Sequence, residues 1–282
     1  MRTRERNMAL FTTVTPPMPF RTTEISNPQF ESNNLRFITV KTINLKGRGD
    51  ICVYVPRGVS KTEILPIVIL LHGAYGSAWS WAMGAGVHIK VHELIEKGEL
   101  PKMILAMPSD GLWGDGSGYL PHSGLNFEKW IAEDVQMAVV ENIAGARPDS
   151  PLFIAGASMG GFGALRIGAK YGYKFRAIAG LSSITSLPQI KLFAGEPLKV
   201  YAQDVVDDED VLATFKKYRD QLPPVRFDCG INDLLINYNR DLHKKLEKEK
   251  IPHIYEENPG VHEWSYWGKH ILSTLKFFAG KL

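Results

Sequence analysis

A serine set between two glycines, Gly156-Ala157-Ser158-Met159-Gly160, follows directly on the apolar run Leu152-Phe153-Ile154-Ala155. A strand ending in so tight a turn projects its serine from the sheet in a strained backbone conformation, which leaves no room for side chains two residues to either side. Both of those positions are glycine. The pattern alone arises readily by chance in a chain with 26 glycines, so its partners decide what it means. A serine hydroxyl is a weak nucleophile near neutral pH; it needs a base within hydrogen-bond reach, and the base needs a carboxylate to fix its tautomer. On a parallel sheet the expected chain order is serine, carboxylate, histidine. Asp233 follows the run Val225-Arg226-Phe227-Asp228-Cys229 through Gly230-Ile231-Asn232, and His262 follows Ile254-Tyr255-Glu256-Glu257 through Pro259-Gly260-Val261. Nucleophile, acid and base would all emerge at the same end of the sheet, equipped for acyl transfer.

Other residues compete for these roles. Asp228 lies within a strand, where a structural carboxylate is the simpler reading, and Asp233 itself could instead cap the helix that starts at Leu234. His243 and His270 fall on helical stretches and His253 just precedes a strand, so none shares the loop placement of His262. Acyl transfer also develops an oxyanion that two backbone N–H groups must already face. Met159, at a helix N-terminus directly after the serine, offers one; Ala74, in His72-Gly73-Ala74-Tyr75-Gly76 after the run Ile67 to Leu71, offers the other. His88 and His92 stand four apart on a helix with no third ligand at suitable spacing, so no metal is expected. Without a G-x-G-x-x-G after the first parallel strand and without a P-loop, no cofactor is expected either.

The elements that must hold these groups are legible in hydropathy. Ile64 to Leu71, Met103 to Met107, Leu152 to Ala155, Ala177 to Leu181 and Val225 to Cys229 are short, nearly continuous apolar runs, the mark of strands buried on both faces. Helical segments alternate with them: Val87 to Lys97, Glu128 to Ile143, Gly160 to Lys170, Leu234 to Lys250 and His262 to Phe278. This predicts an α/β fold with a mostly parallel sheet covered on both sides, its reactive groups at the carboxyl ends of the strands. Leu35 to Ile43 and Asp50 to Val55, joined through Lys46-Gly47-Arg48-Gly49, predict an antiparallel hairpin ahead of it. Residues 1–34 read as an N-terminal arm and 35–282 as a single domain. Within that domain, residues 186–224, with the acidic run Asp207-Asp208-Glu209-Asp210, form either a cap beside the site or a solvated insertion.

A chain of 282 residues with 44% hydrophobic content supports one large core. The net charge is +3 and the basic residues are interleaved with acidic ones, which gives no footprint for nucleic acid. No stretch is long enough to span a membrane. Met8-Ala9-Leu10-Phe11 is too short for the apolar core of a secretion signal, so the expected location is the cytoplasm. Cys52 and Cys229 sit in apolar strand segments, as small buried hydrophobes rather than a disulfide pair. The sequence leaves the oligomeric state open, a homodimer included.

His72-Gly73, Gly156-Ala157-Ser158-Met159-Gly160-Gly161, Cys229-Gly230 followed by Asp233, and Gly260-Val261-His262-Glu263-Trp264 with Trp267 resemble the putative-esterase family of α/β-hydrolases. That family contains esterase D, tributyrin esterases, feruloyl and acetylxylan esterases and mycolyltransferases. The resemblance spans residues 35–280 and implies Ser158 as nucleophile, Asp233 as acid, His262 as base, and the Ala74 and Met159 amides as oxyanion hole. Esterase D-like members carry a cysteine-containing loop after their first parallel strand, whereas this chain has Ala74-Tyr75-Gly76-Ser77-Ala78-Trp79, closer to the tributyrin and carbohydrate esterases. The expected substrate is a small-molecule or saccharide ester with a short acyl chain or an aryl group. Tyr75, Trp79, Trp81, Trp113, Tyr119, His122 and Trp264 are expected to border the mouth. An acyltransferase on the same scaffold, or a binding module without catalysis, are the rival readings.

Overall fold

The computed structural model describes residues 20–60 and 62–282; residues 1–19, Met8 to Phe11 among them, lie outside the described part. The strands are β1 (Thr23–Ile25), β2 (Leu35–Thr42), β3 (Gly47–Tyr54), β4 (Ile67–Leu71), β5 (Ile104–Pro108), β6 (Pro121–His122), β7 (Leu125–Asn126), β8 (Leu152–Ala157), β9 (Phe175–Leu181), β10 (Val225–Gly230) and β11 (His253–Asn258). Among the described residues, nine of them form one sheet in the order β1-β2-β3-β5-β4-β8-β9-β10-β11, with β6 and β7 a separate small hairpin. From β5 to β11 every pairing is parallel, and β1, β2 and β3 run antiparallel at one end.

The helices are α1 (Val87–Glu96), α2 (Phe127–Lys129), α3 (Val135–Asn142), α4 (Met159–Lys170), α5 (Val211–Lys217), α6 (Ile236–Lys248) and α7 (Trp264–Ala279). They divide between the two faces because the strands alternate. Ile67, Ile69 and Leu71 of β4 join one core with Val135, Phe162 and Leu242 from α3, α4 and α6. Val68 and Leu70 join the other with Val91 of α1 and Ile271 of α7. Both faces being apolar, the central strands read as unbroken hydrophobic runs. The Cys52 and Cys229 thiols are buried and free on β3 and β10.

Two local features depart from the sequence expectation, and a third concerns the insertion. Thr23–Ile25 of the anticipated arm adds an edge strand, pairing Glu24 with Thr39 of β2. The predicted helix from Glu128 to Ile143 is interrupted by a wider π turn over Trp130–Asp134. There the buried Trp130 indole donates to Ser109 O at 2.8 Å, and Asp134 accepts from Thr42 and Asn44 of the hairpin, so tertiary bonds override regular winding. Within the acidic run of the insertion, Asp208 is buried while Asp207 stays exposed. Lys170 of α4 bridges Asp208 at 2.6 Å and Glu128 at 2.9 Å, and the buried Arg166 side chain donates to the Asp208 carbonyl.

Candidate active site

Ser158 sits between the end of β8 and the start of α4 at φ 57°, ψ −118°. Crowding at this turn accounts for both flanking glycines: a Cβ on Gly156 would stand 2.2 Å from Gly160 O, and one on Gly160 would stand 2.3 Å from Leu71 O. The turn is pinned by Ser158 N donating to Leu181 O at 2.9 Å. Neighbouring strands thus hold the strained residue in place.

Asp233 lies in the loop after β10 and His262 in the loop after β11, and these loops are stitched to each other. Ile231 N donates to Asn258 O at 2.9 Å and Asn232 N to Gly260 O at 3.1 Å. The contact is so close that a Cβ on Gly230 would lie 2.5 Å from Gly260 O. The result is one hydrogen-bonded line. His262 Nδ1 is 2.9 Å from Asp233 Oδ2, and His262 Nε2 is 2.9 Å from Ser158 Oγ. With Nδ1–H donating to the carboxylate, Nε2 is left to accept from the serine hydroxyl. Asp233 also accepts from Leu235 N at 2.8 Å, which orients the carboxylate. The imidazole lies between two rings, with Phe193 nearly parallel to it at 4.9 Å and Trp267 edge-on at 4.9 Å.

The loop after β4 passes beside the serine, for a Cβ on Gly73 would meet Ser158 Cβ at 3.2 Å. Its Tyr75 amide donates to Asp115 O and its Gly76 amide to Gly73 O. Among the described residues, no protein acceptor takes the Ala74 or the Met159 amide. The two residues meet at Gly116, where a Cβ would lie 2.5 Å from Met159 Sδ and 3.6 Å from Ala74 Cα. His72 braces this loop: its Nδ1 donates to Gly73 O at 2.7 Å while its Nε2 accepts from Asp110 N at 3.1 Å.

Tyr75, Trp79 and Trp264 line a cleft of about 400 Å³ together with Ser158, His262, Phe193 and Trp267. Trp113, Tyr119 and His122, expected at the mouth, do not line it. Tyr119 is fully buried and donates to His72 O at 2.9 Å, and His122 is buried against Ser117 O and the Trp113 ring. Trp81 is buried as well, its indole donating to Leu71 O at 3.0 Å. Asp228, the competing carboxylate, is buried between Arg226 and Tyr266. His92 approaches the Tyr54 hydroxyl at 3.2 Å, and among the described residues no group of three His, Cys, Asp or Glu is arranged to hold a metal. Phe193 was not anticipated, since no periodicity or motif marks it. None of the described helices is long and apolar enough to cross a membrane.

A model of the family described as Putative esterase matches residues 43–278. The chain belongs to that family. An acetyl esterase of Caldicellulosiruptor saccharolyticus is 29% identical over 238 residues, covering 77% of this chain and 85% of the relative. A ferulic acid esterase superposes with a TM-score of 0.76 at 20% identity, over 93% of this chain and 100% of that one. A fluorophosphonate-binding serine hydrolase of Staphylococcus aureus, solved with substrate bound, superposes with a TM-score of 0.74 at 20% identity, over 86% and 97%. At such identity the two structures speak for the fold, which is that of an α/β-hydrolase. Family membership makes this esterase a carboxylic ester hydrolase.

Proposed function

We propose that the protein hydrolyses carboxylic esters through Ser158, His262 and Asp233 by way of an acyl-enzyme. The observation that carries this reading is the continuous hydrogen-bonded line from Asp233 through His262 to Ser158. His262 Nε2 takes the hydroxyl proton as Ser158 Oγ attacks the ester carbonyl carbon, and Asp233 stabilises the imidazolium that forms. The carbonyl oxygen becomes an oxyanion facing the Ala74 and Met159 amides, which need no reorganisation to receive it. As the tetrahedral intermediate collapses, the C–O bond to the alcohol breaks and His262 returns the proton to the departing alkoxide. Water then repeats the cycle on the acyl-enzyme and releases the acid. No step calls for a metal or cofactor.

The substrate we infer is a short-chain acyl ester of a sugar or aryl alcohol. The cleft of about 400 Å³ has walls rich in aromatic rings, Trp79, Trp264, Trp267 and Phe193. Flat apolar faces suit a sugar ring or an arene. By their names, the acetyl esterase acts on esters with a short acyl group and the ferulic acid esterase on esters of an aromatic acid.

Turnover of p-nitrophenyl acetate and labelling by a fluorophosphonate test the reading together. Ser158→Ala should lose both while unfolding at the wild-type temperature, and His262→Ala should lose labelling. A folded Ser158→Ala variant with wild-type turnover would overturn the assignment.

A further inference from the structure

Residues 186–224 reach the reaction centre at one point, Phe193, and the surrounding bonds hold that point in place. The Phe193 ring lies nearly parallel to the His262 imidazole, 4.9 Å away at 24°, and lines the cleft that contains Ser158. Its carbonyl accepts a hydrogen bond from the Tyr75 hydroxyl across 118 residues of chain. Tyr75 stands on the opposite wall, next to Ala74, so this bond spans the mouth from the loop after β4 to the insertion. Asp115 ties the same segments a second time: it accepts from Tyr75 N at 2.8 Å through its carbonyl and from Gly195 N at 2.8 Å through Oδ2. Its own amide donates to Glu196 Oε1 at 2.9 Å. Further along the insertion, Asp208 is bridged by Lys170.

The backbone of Tyr75 is in the left-handed region at φ 59°, which a residue with a bulky side chain enters only when its surroundings compel it. Tyr75 is mostly exposed, at 71%, so burial does not compel it. What the conformation achieves is to send the ring across the cleft to Phe193.

We propose that Phe193 is a specificity-determining residue that limits the bulk of the alcohol half of the ester, and that Tyr75 is the latch holding it over His262. The assignment of sides rests on the ester-hydrolase reading. Because His262 must return its proton to the departing alkoxide, that oxygen lies within hydrogen-bond reach of Nε2. The group attached to it therefore occupies the His262 side of the cleft, where Phe193 stands. A ring latched there leaves room for a single flat ring against Trp264 and Trp267 and obstructs a fused or branched one. Tyr75, expected from the sequence to touch substrate, acts chiefly through Phe193.

Phenyl acetate and 1-naphthyl acetate share an acyl group and differ in the bulk of the alcohol, so the ratio of their kcat/KM values isolates the effect. Comparing each variant with wild type on the same ester removes differences between leaving groups. In Phe193→Ala, kcat/KM for 1-naphthyl acetate should rise and the naphthyl-to-phenyl ratio should increase by about tenfold, the scale of discrimination that a few apolar contacts provide. Tyr75→Phe, which keeps the ring and removes only the latch bond, should move the ratio the same way by about threefold. An unchanged ratio in both variants, or a fall on the larger ester, overturns the proposal. An equal fall on both esters overturns it too, because the ring would then be positioning His262 rather than screening substrate. Should Phe193→Ala fail to fold, as read by thermal unfolding, Phe193→Leu makes the same test. Wild-type protein that turns over neither ester would instead defeat the ester-hydrolase reading itself.

Discussion

Tyr266 donates a hydrogen bond of 2.9 Å to Asp228 Oδ1, tying the first turn of α7 to the interior of β10. Its ring fills the space beside Gly260, where a Cβ would stand 2.4 Å from Tyr266 Cδ2. Gly260 belongs to the loop that delivers His262, so the Asp228–Tyr266 pair supports the base from behind. Arg226 completes the support, with Nη1 3.0 Å from Asp228 and Nη2 on Glu256 of β11. Of the two carboxylates in β10 and its following loop, Asp233 is the one proposed for the chemistry, and Asp228 supports the scaffold.

Burial pushes the Asp228 carboxyl up to about 7, against the opposing pull of Arg226 and the Tyr266 hydrogen bond. A carboxyl whose folded pKa exceeds its unfolded value binds its proton more tightly in the native state. Stability from this group is therefore fully present below about pH 4 and is lost as pH rises to about 7, by up to about 1.4 kcal/mol per pH unit. Asp228→Asn keeps an acceptor for Tyr266 and removes the titration. Urea unfolding at pH 5 and pH 8 should show the variant gaining on wild type at the higher pH; a constant difference between the two proteins would contradict this.

Asp233→Asn should lower kcat on p-nitrophenyl acetate by about 10³–10⁴-fold with little change in unfolding temperature. The amide oxygen can still accept from Leu235 N, which Asp233 now does at 2.8 Å, so the loop should keep its shape. What is lost is the carboxylate proposed to fix the His262 tautomer and stabilise the imidazolium. A fall of less than tenfold would move the acid role to another residue.

Ser158 and Asp233 were legible because each follows an apolar run, and a parallel sheet delivers the ends of such runs to one edge; His262 follows the half-exposed edge strand β11 and was placed by the expected chain order of serine, carboxylate and histidine. The aromatic residues after β5 were harder to place. Gly111, Leu112, Gly114, Gly118 and Tyr119 all have left-handed backbone, which folds that loop back and turns Tyr119 and His122 inward. A glycine-rich composition announces such freedom without its direction. Phe193 follows the short 3-10 segment Leu187–Leu192, which has no periodicity to read, and its bond to Tyr75 joins segments far apart in sequence. Thr23–Ile25 is too short for alternation to emerge, and its three residues are exposed on the sheet edge.

Gly160→Ala should cost more than about 3 kcal/mol or prevent folding, because the new methyl would meet the backbone carbonyl of Leu71, which cannot rotate away. Gly58→Ala provides the contrast. Its Cβ would enter open space, so only the left-handed φ of 63° opposes it, at about 1–2 kcal/mol. Chemical denaturation of the two variants should reproduce that order, and a Gly160→Ala protein as stable as Gly58→Ala would show that the turn relaxes.

Met159→Ala separates the backbone role of this position from its side chain. The side chain is buried, with Sδ against Gly116, and truncating it should lower stability by about 2–4 kcal/mol through the cavity it leaves. The amide proposed to face the developing oxyanion should stay in place, because it lies where the Ser158 turn enters α4. Activity on p-nitrophenyl acetate, measured well below the unfolding transition, should fall by less than about tenfold; loss of an oxyanion donor costs about 10²–10³-fold. Ser158→Ala, by contrast, should be inactive and stable. If folded Met159→Ala is as inactive as Ser158→Ala, the thioether itself takes part in binding or catalysis, and the amide alone is not what this position supplies.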